Sequence, residues 1–162
     1  MEPLKIIKYP DKVLRCNVID VEEITDKEIA LFSKMVFTMK HFCGIGLAAP
    51  QIGISKKLIV ADVEGRIVKL ANPEILDFKG INNMTEGCLS VPDITVDIKR
   101  PDRIIVKGFN ETGKEVEVNA KGLLARVLQH EIDHLKGVLI IDRAGMLKKI
   151  KYKLKNYRGK NE

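Results

Sequence analysis

The sequence predicts an α+β fold in which mainly antiparallel β-sheets pack around a buried central helix, flanked by an N-terminal helix and a basic C-terminal helix. Three observations carry this. From about residue 44 to residue 118, short β-rich runs follow one another between Gly, Pro and Asn, with none of the helix-length crossovers that parallel strands need. The stretch LLARVLQHEIDHLKG, residues 123 to 137, instead has helical periodicity with a broad apolar face. The chain has 162 residues, 45% apolar and 31% charged, which suits one globular domain and excludes disorder.

TDKEIALFSKMVFTMKHF predicts the first helix. Thr25 and Glu28 have capping-box spacing, and Ile29, Phe32, Met35, Val36 and Met39 recur at helical intervals before Gly44 and Gly46 end the pattern. KLIVADV, RIVKLANP, ITVDI, DRIIVKGF and KEVEVN read as strands, and NETGK between the last two reads as a hairpin turn. The central helix ends at Gly137, a short strand-like VLIID follows, and the basic tail forms a last helix. This divides the chain into a domain over residues 1–147 and a helical tail over 148–162.

Composition narrows the function classes. The longest apolar runs, such as GVLII, are too short to cross a bilayer, and MEPLKIIKYPDK lacks the pattern of an export signal, so a cytoplasmic protein without a membrane is expected. Cys16, Cys43 and Cys88 are odd in number and lack framework spacing, which argues against structural disulfides. Of the net charge of +6, residues 143–162 carry +7 and the rest −1, so the core is not a DNA-binding surface. The tail is either a solvated helix face or the contact for an anionic partner such as RNA.

Within the central helix, Leu123, Leu124, Val127, Leu128, Ile132 and Leu135 form the apolar face, and Glu131 falls near its middle. Arg126, Gln129, Asp133 and Lys136 gather on the opposite side, while His130 and His134 stand one turn apart at a border. An inward carboxylate without a partner is costly, so a strong local partner is implied, and a metal ion would be one. His130-Glu131-Ile132-Asp133-His134 is the H-E-x-x-H pattern: two imidazoles reach one metal from one helical face, and the glutamate serves as general base.

A catalytic site of this type needs a third protein ligand. Ile140 stands where the long metalloprotease motif has its third histidine, and the only glutamate after His134 is the terminal Glu162. Cys16, His41, Cys43, Cys88 and, less well suited, Asp142 stay open. Cys88 is preferred among them, because Gly87 and Pro92 bracket it in a rigid segment.

GIGLAAPQIG (44–53), EGCLSVP (86–92) and QHEIDHLKG (129–137) together resemble the three signature motifs of the bacterial-type peptide deformylases, in order and at matching spacing. The resemblance runs from YPDKVLR to the HEIDH helix, leaving out the tail; after CLSVP, the run DITVDIKRP departs from many relatives. It implies hydrolytic removal of the formyl group from the N-terminal formyl-methionine of newly made polypeptides. It also implies Cys88, His130 and His134 as metal ligands, Glu131 as general base, and Gln51 with the Leu89 N–H as the oxyanion hole. The substrate peptide would pair with Ile45, Gly46 and Gly87, its methionine side chain entering an apolar pocket near Ile45, Leu123, Val127 and His130, while Glu86 braces the cysteine loop. The family implies ferrous iron as the metal, with zinc, nickel or cobalt as substitutes; the charge of the tail, outside the resemblance, would in that setting hold the enzyme near the ribosome, with a solvated helix face as the alternative. Two rivals remain: a general metallopeptidase, and a non-catalytic metal-holding protein that recognises nascent chains or ribosomal RNA.

Overall fold

The computed structural model describes residues 1–145, and the basic tail helix expected over 148–162 lies outside them. The first helix, α1, spans Asp26–His41. Its capping box forms as the sequence predicts: Thr25 accepts from the Lys27 N–H, and Glu28 accepts from the Thr25 N–H at 3.1 Å. After α1 come strands β1 (Gly46–Ala48), β2 (Leu58–Val63), β3 (Arg66–Lys79), β4 (Asn82–Cys88), β5 (Val91–Arg100), β6 (Arg103–Phe109) and β7 (Glu115–Lys121), and then helix α2 (Gly122–Leu135). Each pairing among these seven strands is antiparallel. One sheet has the order β1-β2-β3-β6-β7, and β4 pairs with β5 in a second. The fold is α+β, as expected.

The burial of β2 shows how the layers are held. Its run LIVADV is nearly all buried because both faces are covered. Leu58 and Val60 point to Phe32, Met35 and Met39 of α1, whereas Ile59, Ala61 and Val63 point to Leu124, Leu128 and Ile132 of α2. A third cluster joins Val91, Val96 and Ile98 of β5 to Leu14, Leu139 and Ile140. The helix α2 therefore has hydrophobic cover on the β2 side and the two-stranded sheet on the other.

Four differences from the expected elements have physical causes. VLIID is not a strand: a 3-10 turn spans Ile140–Arg143, closed by the Asp142 carboxylate on the Leu139 N–H at 2.8 Å. RIVKLANP extends into a strand of 14 residues, because β3 accommodates Pro73 at a register shift beside Asn72, whose φ is +50°. NNMTEGC, too polar to read as a strand, is one because it pairs with β5. The polar side of α2 is also not a solvent face, since Arg126, Gln129 and Asp133 are only 4%, 6% and 8% exposed. Their buried partners are described below.

Candidate metal centre

Cys88 closes β4 just before the tight turn into β5. The extra residue at Gly87 shifts the register between Glu86 and Cys88, which takes Cys88 out of the regular alternation. His130 and His134 occupy the C-terminal half of α2, with ring centroids 5.0 Å apart. The fold brings these three residues together. Cys88 Sγ lies 3.3 Å from His134 Nε2, the two Nε2 atoms are 3.2 Å apart, and one ligand atom from each residue lies within 4.8 Å of the others. None of the rival third ligands joins them: Cys16 and Cys43 are exposed, His41 stacks on Phe37 and meets Phe42 edge-on at the end of α1, and Asp142 pairs with Arg15.

The histidines differ in how they are held. His130 Nδ1 contacts Glu86 Oε1 at 3.0 Å. Burial works against the charged form of Glu86, but its bonds to His130 and Arg100 outweigh that and hold the carboxyl down at about 2. An ionised carboxylate only accepts, so Nδ1 of His130 carries a proton; burial opposes charge on the ring, but its contacts to Cys88 and Glu86 outweigh that and raise its pKa well above the usual imidazole range, and Nε2, turned toward His134, is the atom that would meet a metal. In His134, Nδ1 is buried with no hydrogen-bond partner among the described residues. Burial, reinforced by His130, lowers the His134 pKa well below the usual imidazole range. Two nitrogens and a sulfur converging at this distance, with one imidazole ring oriented by Glu86, form a soft donor set that fits a divalent transition metal.

Glu131 lies beside this cluster, 3% exposed, with Oε2 unpartnered among the described residues. Burial pushes its carboxyl up to about 7, against the opposing pull of His130. Strand β1 lies directly over it: a Cβ on Gly46 would stand 2.3 Å from Glu131 Oε1 and 2.7 Å from Val127 Cγ1. Only glycine lets the strand approach so closely.

Gln51, 1% exposed, sits in the 3-10 turn Ala49–Ile52 that Pro50 starts and Gly53 ends in the left-handed region at φ +77°. Its Oε1 accepts from the Ala48 N–H at 2.8 Å, which fixes the amide, and its Nε2 donates to Ser90 Oγ at 3.2 Å and faces Cys88 Sγ at 3.6 Å. Leu89 follows Cys88 in the turn, its side chain against Gly44. Ile45 is 45% exposed next to edge strand β1, Val127 is buried, and Leu123 is 40% exposed in the first turn of α2. Leu123 lines an open groove of about 710 Å³ with Val63, Phe78 and Ile104. Gly87 is exposed on β4.

Sequence reasoning missed the ionic cluster behind His130. Among the described residues, the Glu86 carboxylate makes no hydrogen bond to the cysteine loop. It takes Arg100 Nε at 2.6 Å and Nη2 at 2.9 Å, Arg126 Nη1, and His130, so it braces the histidine instead. Arg126 also donates to the carbonyls of Ile98 and Asn82 at 2.9 and 2.7 Å, which ties α2 to the second sheet. The available signal was the i, i+7 spacing of Arg126 and Asp133 on one side of the helix, a pair that a sequence alone assigns to water.

Comparisons with known proteins point to one family. The sequence profile of the polypeptide deformylase family matches residues 3–150. The peptide deformylase of Thermodesulfovibrio yellowstonii is 49% identical over 154 residues, covering 92% of this chain and 93% of that one. That of Halothermothrix orenii is 50% identical over 145 residues, covering 88% and 94%. The crystal structure of peptide deformylase from Thermotoga maritima superposes with a TM-score of 0.86 at 44% identity over 90% of this chain and 99% of that one. The enzyme from Synechococcus elongatus in complex with actinonin gives 0.88 at 41% identity, covering 93% and 84%.

Proposed function

The chain belongs to the polypeptide deformylase family, and from that premise we propose that it hydrolyses the N-formyl group of formyl-methionyl nascent polypeptides at the Cys88, His130 and His134 cluster, releasing formate. The observation that carries this reading is the convergence of those three donors beside a buried glutamate with one unpartnered oxygen. Cys88, His130 and His134 would hold a single divalent ion, ferrous iron in the cell with zinc, nickel or cobalt as substitutes. When bound, such an ion makes a water acidic enough to lose a proton near neutrality.

The residues of the chain do the rest. Glu131, with its carboxyl raised to about 7, takes the proton from the attacking water and delivers it to the amine as the C–N bond breaks, leaving formate and a free N-terminus. The Gln51 amide is held at its oxygen by Ala48, so its Nε2 is preorganised as a donor, and with the Leu89 N–H it stabilises the oxyanion. One such donor is typically worth about 3 kcal/mol. β1 and β4 are both edge strands, so an extended peptide adds to them at Ile45, Gly46 and Gly87. The methionine side chain lies against Ile45, just before β1, and against Val127 and Leu123, which share a side of α2 with His130. The division into a catalytic domain over 1–147 and a basic tail over 148–162 is part of this reading. So are a cytoplasmic location and contact of the tail with ribosomal phosphates. Among the described residues, no helix is long and apolar enough to cross a membrane.

The test is formate release from a short formyl-methionyl peptide by protein loaded anaerobically with iron or nickel, with the N-acetyl peptide as control. Release that Glu131→Ala and Cys88→Ala each abolish supports the reading. A folded, metal-loaded protein that releases none overturns it in favour of a metal-holding binding protein.

A further inference from the structure

Behind His130 the ionic cluster continues beyond the residues that touch it. Arg100, 4% exposed, binds Glu86 through Nε and Nη2 and Asp133 Oδ2 through Nη1 at 2.9 Å, so its planar fork is tied at three nitrogens. Asp133 stands one turn after His130 on α2. It is also gripped by Arg143, with Nε to Oδ2 at 2.7 Å and Nη2 to Oδ1 at 2.8 Å. An unbroken line of contacts therefore runs from the 3-10 turn Ile140–Arg143 through Asp133, Arg100 and Glu86 to the Nδ1 of His130.

We propose that Asp133 and Arg143 are positioning residues for His130, acting through Arg100 and Glu86 to set how firmly the site retains its metal. The geometry of the fork carries the proposal. The Asp133 carboxylate fixes the plane of the Arg100 guanidinium, whose two parallel bonds fix the Glu86 carboxylate, and that carboxylate fixes the imidazole ring and its tautomer. Water has little access to the middle links, because the side chains of Glu86, Arg100 and Asp133 are only 6%, 3% and 12% exposed. Arg143 differs: its side chain is 39% exposed. Without it, the cluster keeps Glu86 and Asp133 against Arg100 and Arg126, so its removal leaves no buried charge unpaired. Arg143 can therefore be altered without unfolding the protein, and what remains is its effect on Asp133.

The inference rests on His130 being a metal ligand, so the experiment measures metal retention and the apo protein separately. Release of nickel to a competing chelator is timed for wild type, Arg143→Met, Arg143→Lys and Asp133→Asn. The exchange of the His130 Nδ1 proton is followed by nitrogen-15 NMR in the metal-free proteins. The expected result is release about 10-fold to 100-fold faster in Asp133→Asn, in the range for outer partners of a metal ligand, with a smaller increase in Arg143→Met that Arg143→Lys only partly restores. The Nδ1 proton should exchange faster in the same order. Wild-type release and exchange rates in a folded Arg143→Met protein would overturn the proposal, whatever Asp133→Asn does. A wild type that binds no nickel would overturn the metal-centre reading itself.

Discussion

Glu86 and Glu131 are both buried carboxylates within reach of His130, and their surroundings push them in opposite directions. Glu86 is 6% exposed and ringed by the guanidinium groups of Arg100 and Arg126 and by an imidazole N–H, so its carboxyl is held down at about 2. Glu131 is 3% exposed and packed beneath the Gly46 backbone. It has one oxygen unpartnered among the described residues, and burial raises its carboxyl to about 7. Equal burial therefore does not decide the protonation state; the partners do. One glutamate becomes a permanent charge that orients a histidine, and the other a group able to gain and lose a proton near neutral pH.

The contrast breaks most visibly at Glu131. Glu131→Ala should lower formate release by roughly 10²-fold to 10⁴-fold, the usual contribution of a general base, while metal content measured by atomic absorption stays at the wild-type level. If turnover fell by less than tenfold, Glu131 would not be the proton carrier. Glu86→Gln should do the reverse and act on the metal first, weakening its retention by about 10-fold to 100-fold. It should also cost about 3–5 kcal/mol in urea unfolding, because Arg100 and Arg126 would lose their shared buried counter-charge. Retention equal to wild type would reduce Glu86 to a packing role.

A pH series on the metal-free protein sharpens the difference, because the two groups affect opposite ends of the range. The lowered pKa of Glu86 contributes stability that is present above pH 4.5 and is lost as pH falls through about 2. The raised pKa of Glu131 favours the fold below pH 4.5, and this contribution is lost as pH rises through about 7, at most on the order of 3 kcal/mol. Urea midpoints at pH 5 and pH 8 should therefore fall with rising pH in wild type and much less in Glu131→Gln. An equal fall in both proteins would assign the slope to another group.

Two smaller effects concern the shell around the pair. Gly46→Ala would place a methyl 2.3 Å from Glu131 Oε1, so β1 must lift, with an expected cost of about 1–3 kcal/mol in thermal unfolding and a lower kcat. Ser90→Ala removes the hydroxyl that takes Gln51 Nε2 at 3.2 Å. It should cost only about 1 kcal/mol, read as a modest loss of kcat with KM unchanged. A change in KM alone would mean that Ser90 helps seat the peptide.

Much of this site was legible before folding because it is local. The helical spacing of His130, Glu131 and His134 puts two imidazoles and a carboxylate in one place as soon as α2 forms, and Thr25 with Glu28 announces the start of α1. The polar strand Asn82–Cys88 was not legible, because only its pairing with β5 makes it a strand. Nor was the 3-10 turn at Ile140–Arg143, where the Asp142 side chain overrides the β-propensity of VLIID.

By itself the sequence determined the residue types, the helical register of the two histidines and the glutamate, and the glycine at 46 that permits close approach. These depend on short spacings and on side-chain size. Only the tertiary structure decided which thiol joins the histidines, which nitrogen of His130 meets Glu86, and that Arg126 and Asp133 face a buried ion cluster rather than water. Those outcomes depend on β4, β5 and the turn after α2 packing against the helix, where desolvation makes each charge depend on partners distant in the chain.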